Sequence, residues 1–126
     1  MHILIVEQNA ELGAIWSRFL QGQGLECTHV CGRADAFALL REHSFDALVL
    51  DMEMSDGDSF AVADFASYRN PDIPIIAVSA RSFFSDEAIF ELIPNARVML
   101  REPLRLDDMA AMIEHYGAKR AASLGG

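Results

Sequence analysis

The stretch Ala47-Leu48-Val49-Leu50-Asp51 decides how this chain folds, because an uninterrupted apolar run closes on a carboxylate. Two other stretches have the same form: Ile3-Leu4-Ile5-Val6 runs into Glu7-Gln8, and Ile75-Ile76-Ala77-Val78 runs into Ser79. Apolar runs this short, separated by segments of helical periodicity, read as parallel strands buried on both faces. In an open parallel sheet the strands end along one edge, where ligands bind and chemistry occurs. The expectation is that two carboxylates and a hydroxyl reach one rim from three separate stretches of sequence.

Working outward, strands are predicted at residues 2–6, 25–30, 45–50, 73–79 and 97–100. The second, with Glu26 and Thr28 breaking its apolar pattern, suits a sheet edge. Helices are predicted between and after them. Asn9 is a candidate N-cap for residues 10–23, where Leu12, Ile15, Trp16, Phe19 and Leu20 recur at helical spacing and Gly24 ends the run. Residues 33–43 and 59–68 follow, the latter stopped by Asn70-Pro71. Ser85 is a candidate cap for 86–92, whose first turn is acidic, as the helix dipole favours. Met109, Met112, Ile113 and Tyr116 mark a last helix at 106–116. Strand–helix alternation with short connections means an α/β domain with helices on both faces of a parallel sheet. The domain is assigned to residues 1–116, and 117–126, small and polar, to a flexible C-terminal tail. The Met109–Met112–Tyr116 stripe suits an apolar face for a homodimer or another partner, or plain core packing.

The 126 residues suffice for one domain with a real core, and a 52% hydrophobic content excludes a disordered chain. No apolar stretch approaches the roughly 20 residues of a membrane span, and the start lacks the pattern of a secretory signal. A cytoplasmic location without membrane attachment is expected. A net charge of −9 argues against direct nucleic-acid binding, which needs clustered Lys and Arg. Cys27, His29 and Cys31 alternate, so they share a strand face. Cys27 and Cys31 would lie about 13 Å apart along a strand, whereas zinc holds each sulfur at about 2.3 Å. Both are read as free, reduced thiols.

The polar residues at the strand ends carry the chemistry. Glu7, Gln8, Asp51 and Glu53 are candidate ligands of a hard divalent cation such as magnesium. A carboxylate beside such a cation can attack a phosphoryl group, and the Ser79 hydroxyl is expected to offer a donor to a transferred phosphoryl oxygen.

In order and spacing, these residues resemble the receiver domain of two-component response regulators, of the chemotaxis-regulator kind, over about residues 1–116. The resemblance implies a sheet in the flavodoxin-like order 2-1-3-4-5. It matches the family's acidic pair to Glu7-Gln8, its phosphoacceptor aspartate to Asp51 and its Ser or Thr to Ser79. The family's Lys-Pro pair, often joined by a cis bond, aligns with Glu102-Pro103. The implied role is phosphorelay signalling: a sensor histidine kinase or phosphotransfer protein donates to Asp51, magnesium assists, and a downstream protein reads the result. Such a module is a signalling acceptor rather than an enzyme.

Several positions depart from the family pattern. Gln8 brings an uncharged oxygen where an acid is usual. Ser55 and Ser59 replace a frequent proline and glycine, and Met99 occupies the position of a switch aromatic. Glu102 stands in place of the lysine, and the only lysine, Lys119, is remote in sequence. At about 4 Å and an effective dielectric of about 20, two like charges repel by roughly 4 kcal/mol before screening. An incoming phosphoryl group adds about −1.5 to −2 charges. Arg81 and Arg101 are the candidates for compensation. The alternative reading is a degenerate receiver that acts by contact without phosphorylation, or one in which Asp51, with an elevated pKa, senses pH or cations. A nucleotide or flavin binder is disfavoured, because Glu7-Gln8-Asn9-Ala10-Glu11 has no glycine-rich cradle and would repel a phosphate.

Overall fold

In the computed structural model, which describes residues 1–80 and 86–125, five parallel strands form one sheet. They are β1 (His2–Val6), β2 (Glu26–Val30), β3 (Ala47–Asp51), β4 (Ile75–Ser79) and β5 (Ala96–Arg101), in the order β2-β1-β3-β4-β5. The helices are α1 (Ala10–Gly22), α2 (Arg33–Glu42), α3 (Asp58–Arg69), α4 (Asp86–Leu92) and α5 (Leu106–Gly125). The expected caps and ions at Ser85 and Arg81 lie outside the described residues. Asn9 caps α1 as expected, its side-chain oxygen accepting from the Leu12 amide at 3.0 Å.

Because successive side chains of a strand point to opposite faces, the apolar runs fill two cores at once. Leu4, Val6, Leu48, Leu50, Ile75 and Ala77 pack with α2, α3 and α4. Ile3, Ile5, Ala47, Val49, Ile76 and Val78 pack with Trp16 and Leu20 of α1 and with Met109 and Ile113 of α5. The strands β3 and β4 are buried throughout, whereas β2 is only half-buried at the edge. Met109 is thus core, and Met112 and Tyr116 pack partly against the same cluster. Cys27 is half-buried and Cys31 exposed, and both are free thiols. Among the described residues no helix is long and apolar enough to cross a membrane.

Most boundaries fall within two residues of the sequence reading, and a few differences are informative. Phe45 and Ile73 precede their strands yet are buried, so burial extended the predicted strands backwards. Ser55–Gly57 form a single 3-10 turn inside what reads as a polar loop. The last helix does not stop at Tyr116 but continues through Gly125, in place of the tail assigned to 117–126. Gly117, the first residue of that segment, is buried in the helix where it passes Met1: a Cβ there would meet the Met1 sulfur at 2.8 Å. The obstacle is the end of a flexible side chain. Gly117→Ala should therefore stabilise the protein, by up to about 1 kcal/mol from helix propensity. Urea unfolding measures this, and a net loss would mean that Met1 is locked in place.

Candidate functional site

Sheet register brings the site together. Val6 lies opposite Leu50, Leu50 opposite Ala77 and Asp51 opposite Val78, so Glu7, Asp51 and Ser79 emerge at nearly one level along the carboxyl edge. Ser79 in turn lies opposite Arg101, which places Glu102 just beyond the same rim.

Glu7 and Asp51 are almost wholly buried, at 5% and 7% exposure. The Glu7 carboxylate oxygen Oε1 accepts from the Asn9 amide at 3.0 Å. Asp51 Oδ1 accepts from the Glu53 amide at 2.8 Å, and the Gln8 amide faces the Asp51 carboxylate and favours its charged form. The two carboxyls lie side by side, and the charge of Asp51 raises Glu7. Burial is the main force on both. It pushes the Glu7 carboxyl up to about 7, with the negative charges of Asp51 and Glu102 adding to the effect and the Asn9 amide opposing it. Asp51 is also raised, first by burial and then by the Glu53 charge, while the amides of Glu53 and Gln8 and the Glu7 carboxyl hold it back.

Two further contacts shape the rim. The Ser79 hydroxyl donates to Glu53 Oε1 at 2.7 Å. Ser59, at the start of α3, is buried; its hydroxyl donates to the Asp51 carbonyl at 2.7 Å and accepts from the Met54 amide at 3.3 Å. Sequence reading registers Ser59 only as a replaced glycine. Nothing local announces its role, which depends on the 3-10 turn folding α3 back onto β3.

Gln8 and Glu53 line an open cleft of about 350 Å³ together with Glu7, Asn9 and Asp51. Glu102 is exposed and lines a different, largely apolar groove with Leu12, Ile15, Trp16, Leu104 and Leu106. Its charge therefore reaches the site through Glu7 rather than from within the cleft. The Glu102-Pro103 bond is cis, and the Glu102 amide donates to the Ser79 carbonyl at 3.0 Å. Met99 is buried opposite Ala77, in the core shared with α3 and α4.

Among the described residues no cluster of three His, Cys, Asp or Glu side chains is arranged as a metal cage. Magnesium does not require one, since it is often held by one or two carboxylates and keeps several waters. Glu7 and Asp51 fit that requirement: they are paired, face the cleft, and make no salt bridge with a described Lys or Arg. A divalent cation there would offset the like charge that raises both groups.

A carboxyl with a raised pKa holds its proton more tightly when the chain is folded. The contribution of Glu7 to stability is thus complete below about 4.5 and is lost as pH rises to about 7. In buffer with a chelator, the parent protein should lose up to about 3 kcal/mol relative to Glu7→Gln across that window. Urea unfolding of both proteins at the two pH limits checks this, and parallel curves would refute the shift.

The profile of the response regulator receiver domain matches residues 3–114. The chain is 27% identical to the DNA-binding transcriptional regulator NtrC of Escherichia coli over 118 residues, covering 90% of this chain but 25% of NtrC. It is 28% identical to the swarming motility regulation protein RssB of Serratia marcescens over 121 residues, covering 96% of this chain and 55% of RssB. It therefore spans only part of these relatives. A CheY-like receiver domain protein from Methanospirillum hungatei shares the fold with a TM-score of 0.85 at 19% identity, over 97% of each chain. The receiver domain of a Pseudomonas aeruginosa sensor histidine kinase, solved with magnesium coordinated in its active-site cleft, superposes with a TM-score of 0.79 at 19% identity, over 93% of this chain and 97% of that one. By its profile match, this chain belongs to the response regulator receiver domain family.

Proposed function

We propose that Asp51 accepts a phosphoryl group from the phosphohistidine of a sensor histidine kinase or phosphotransfer protein in the cytoplasm, and that the chain signals by protein contact rather than as an enzyme. The observation that carries this reading is the buried Asp51 carboxylate at the mouth of the cleft, oriented by the Glu53 amide. A carboxylate oxygen of Asp51 attacks phosphorus, an acyl phosphate forms, and the bond to the donor nitrogen breaks. Cation binding needs both carboxyls ionised, so magnesium would replace the proton that burial favours on Glu7. Magnesium, bound by Glu7 and Asp51 with Gln8 and Glu53 beside them, would neutralise the incoming phosphoryl charge. Ser79 must exchange its bond to Glu53 for one to a phosphoryl oxygen. That exchange would connect the acceptor to the β4 end and, through the buried Met99 opposite Ala77, to β5.

Glu102 makes this acceptor slow. Placing a cation there should remove its push on Glu7 and supply a partner for the phosphoryl group. Glu102→Lys is therefore expected to accelerate labelling by about tenfold or more. The direct assay is intact mass after incubation with acetyl phosphate and magnesium. A single phosphoryl adduct, absent from Asp51→Ala, is the expected result. No adduct in the parent or in Glu102→Lys would exclude phosphoryl transfer.

One observation favours the second reading, a receiver working without phosphorylation: the Ser79 hydroxyl is already engaged by Glu53. In that case partner binding persists unchanged in Asp51→Ala.

A further inference from the structure

The backbone of Glu7 is tied to the edge strand at both of its polar groups. Its amide donates to the Val30 carbonyl at 3.1 Å, continuing the β1–β2 ladder. Its carbonyl oxygen lies 3.0 Å from Nε2 of His29, a side chain of β2. A carbonyl can only accept, so Nε2 carries the proton. The Cys31 sulfur approaches the same nitrogen only at 3.9 Å, which leaves Glu7 as the principal partner.

The ring reaches that carbonyl by lying across α1. Its seat is Gly13, buried in the first turns of the helix: a Cβ at this position would overlap the His29 imidazole. Unlike the thioether facing Gly117, this ring is anchored at Glu7 and cannot swing aside without giving up its bond.

We propose that His29 is a positioning residue for the phosphoacceptor. By holding the Glu7 carbonyl it sets the backbone of residues 7–9, and Gly13 provides the space that makes this possible. That short loop performs every task of the first strand end. The Glu7 carboxylate receives the Asn9 amide, the Gln8 amide faces Asp51, and Asn9 caps α1. A loop released from His29 would let both Glu7 and the Gln8 amide drift from Asp51. A shift of about 1 Å is enough to cost activity at a site built on orientation. The consequence for phosphorylation rests on the reading of Asp51 as acceptor, whereas the consequence for the loop does not.

The test compares His29→Leu, which fills the notch over Gly13 without a donor, with His29→Gln, whose amide can still reach the carbonyl. Amide hydrogen exchange at Gln8 and Asn9 reads the loop, and acetyl phosphate labelling with magnesium reads the chemistry. In His29→Leu, exchange at both amides should quicken and labelling should slow, each by about tenfold, the scale of one buried hydrogen bond. The Gln variant should stay within about twofold of the parent. Gly13→Ala, which evicts the ring without altering it, should reproduce the leucine defect. Unchanged exchange in His29→Leu overturns the proposal. So does an equal loss in the Leu and Gln variants that follows their melting temperatures, because that would make His29 a packing residue only. If the parent takes up no phosphoryl group, the exchange measurement alone decides the positioning role, and the failure belongs to the acceptor reading.

Discussion

Two carboxylates buried against each other at the end of an apolar sheet set the terms for the rest of this molecule. Burying an ionised carboxylate is costly unless it is hydrogen-bonded or paired with a cation. Glu7 meets that cost with the Asn9 amide, and Asp51 with the Glu53 amide and the Gln8 amide facing it. Those amides belong to the loops after β1 and β3, so each loop is held in shape by the acid it serves. The site and its scaffold are therefore one hydrogen-bonded unit, and a cation bound between the two acids would act on both.

The departures from the family pattern acquire a graded meaning in the structure. Gln8 turns its backbone amide toward Asp51 whatever its side chain is, so the missing acid does not undo the loop. Glu102 is less intrusive than its place in the sequence suggests. It faces a neighbouring groove and acts on the acidic pair at its margin, through Glu7. The bond between Ser79 and Glu53 is the more direct obstacle, because it occupies the hydroxyl that a phosphoryl oxygen would need. Met99 sits in the core rather than at the surface, and a flexible thioether can fill more than one packing arrangement there.

The edge strand matters to the site as well. In many parallel sheets an outer strand chiefly shields its neighbour. Here β2 also supplies a side-chain donor to the last residue of the β1 ladder, and α1 carries a glycine where that side chain passes. The alternation of Cys27, His29 and Cys31 points the ring to the α1 side, but the pattern is equally that of an ordinary edge strand.

Much of this was legible in the chain itself. The apolar runs at 3–6, 47–50 and 75–78 are local features whose burial follows from composition, and the residues that close them must fall at the strand ends. That is why Glu7, Asp51 and Ser79 could be grouped before any coordinates, and why α/β architecture followed from alternation alone. What needed the tertiary structure is which atoms meet. Ser59 reaches the Asp51 carbonyl because a 3-10 turn redirects α3, Ser79 bonds to Glu53 from the neighbouring strand, and Gly117 lies buried in α5 beside Met1. Each of these depends on register, turn geometry and contact between residues distant in sequence. Periodicity reports only which face of an element is apolar, so it cannot carry that information.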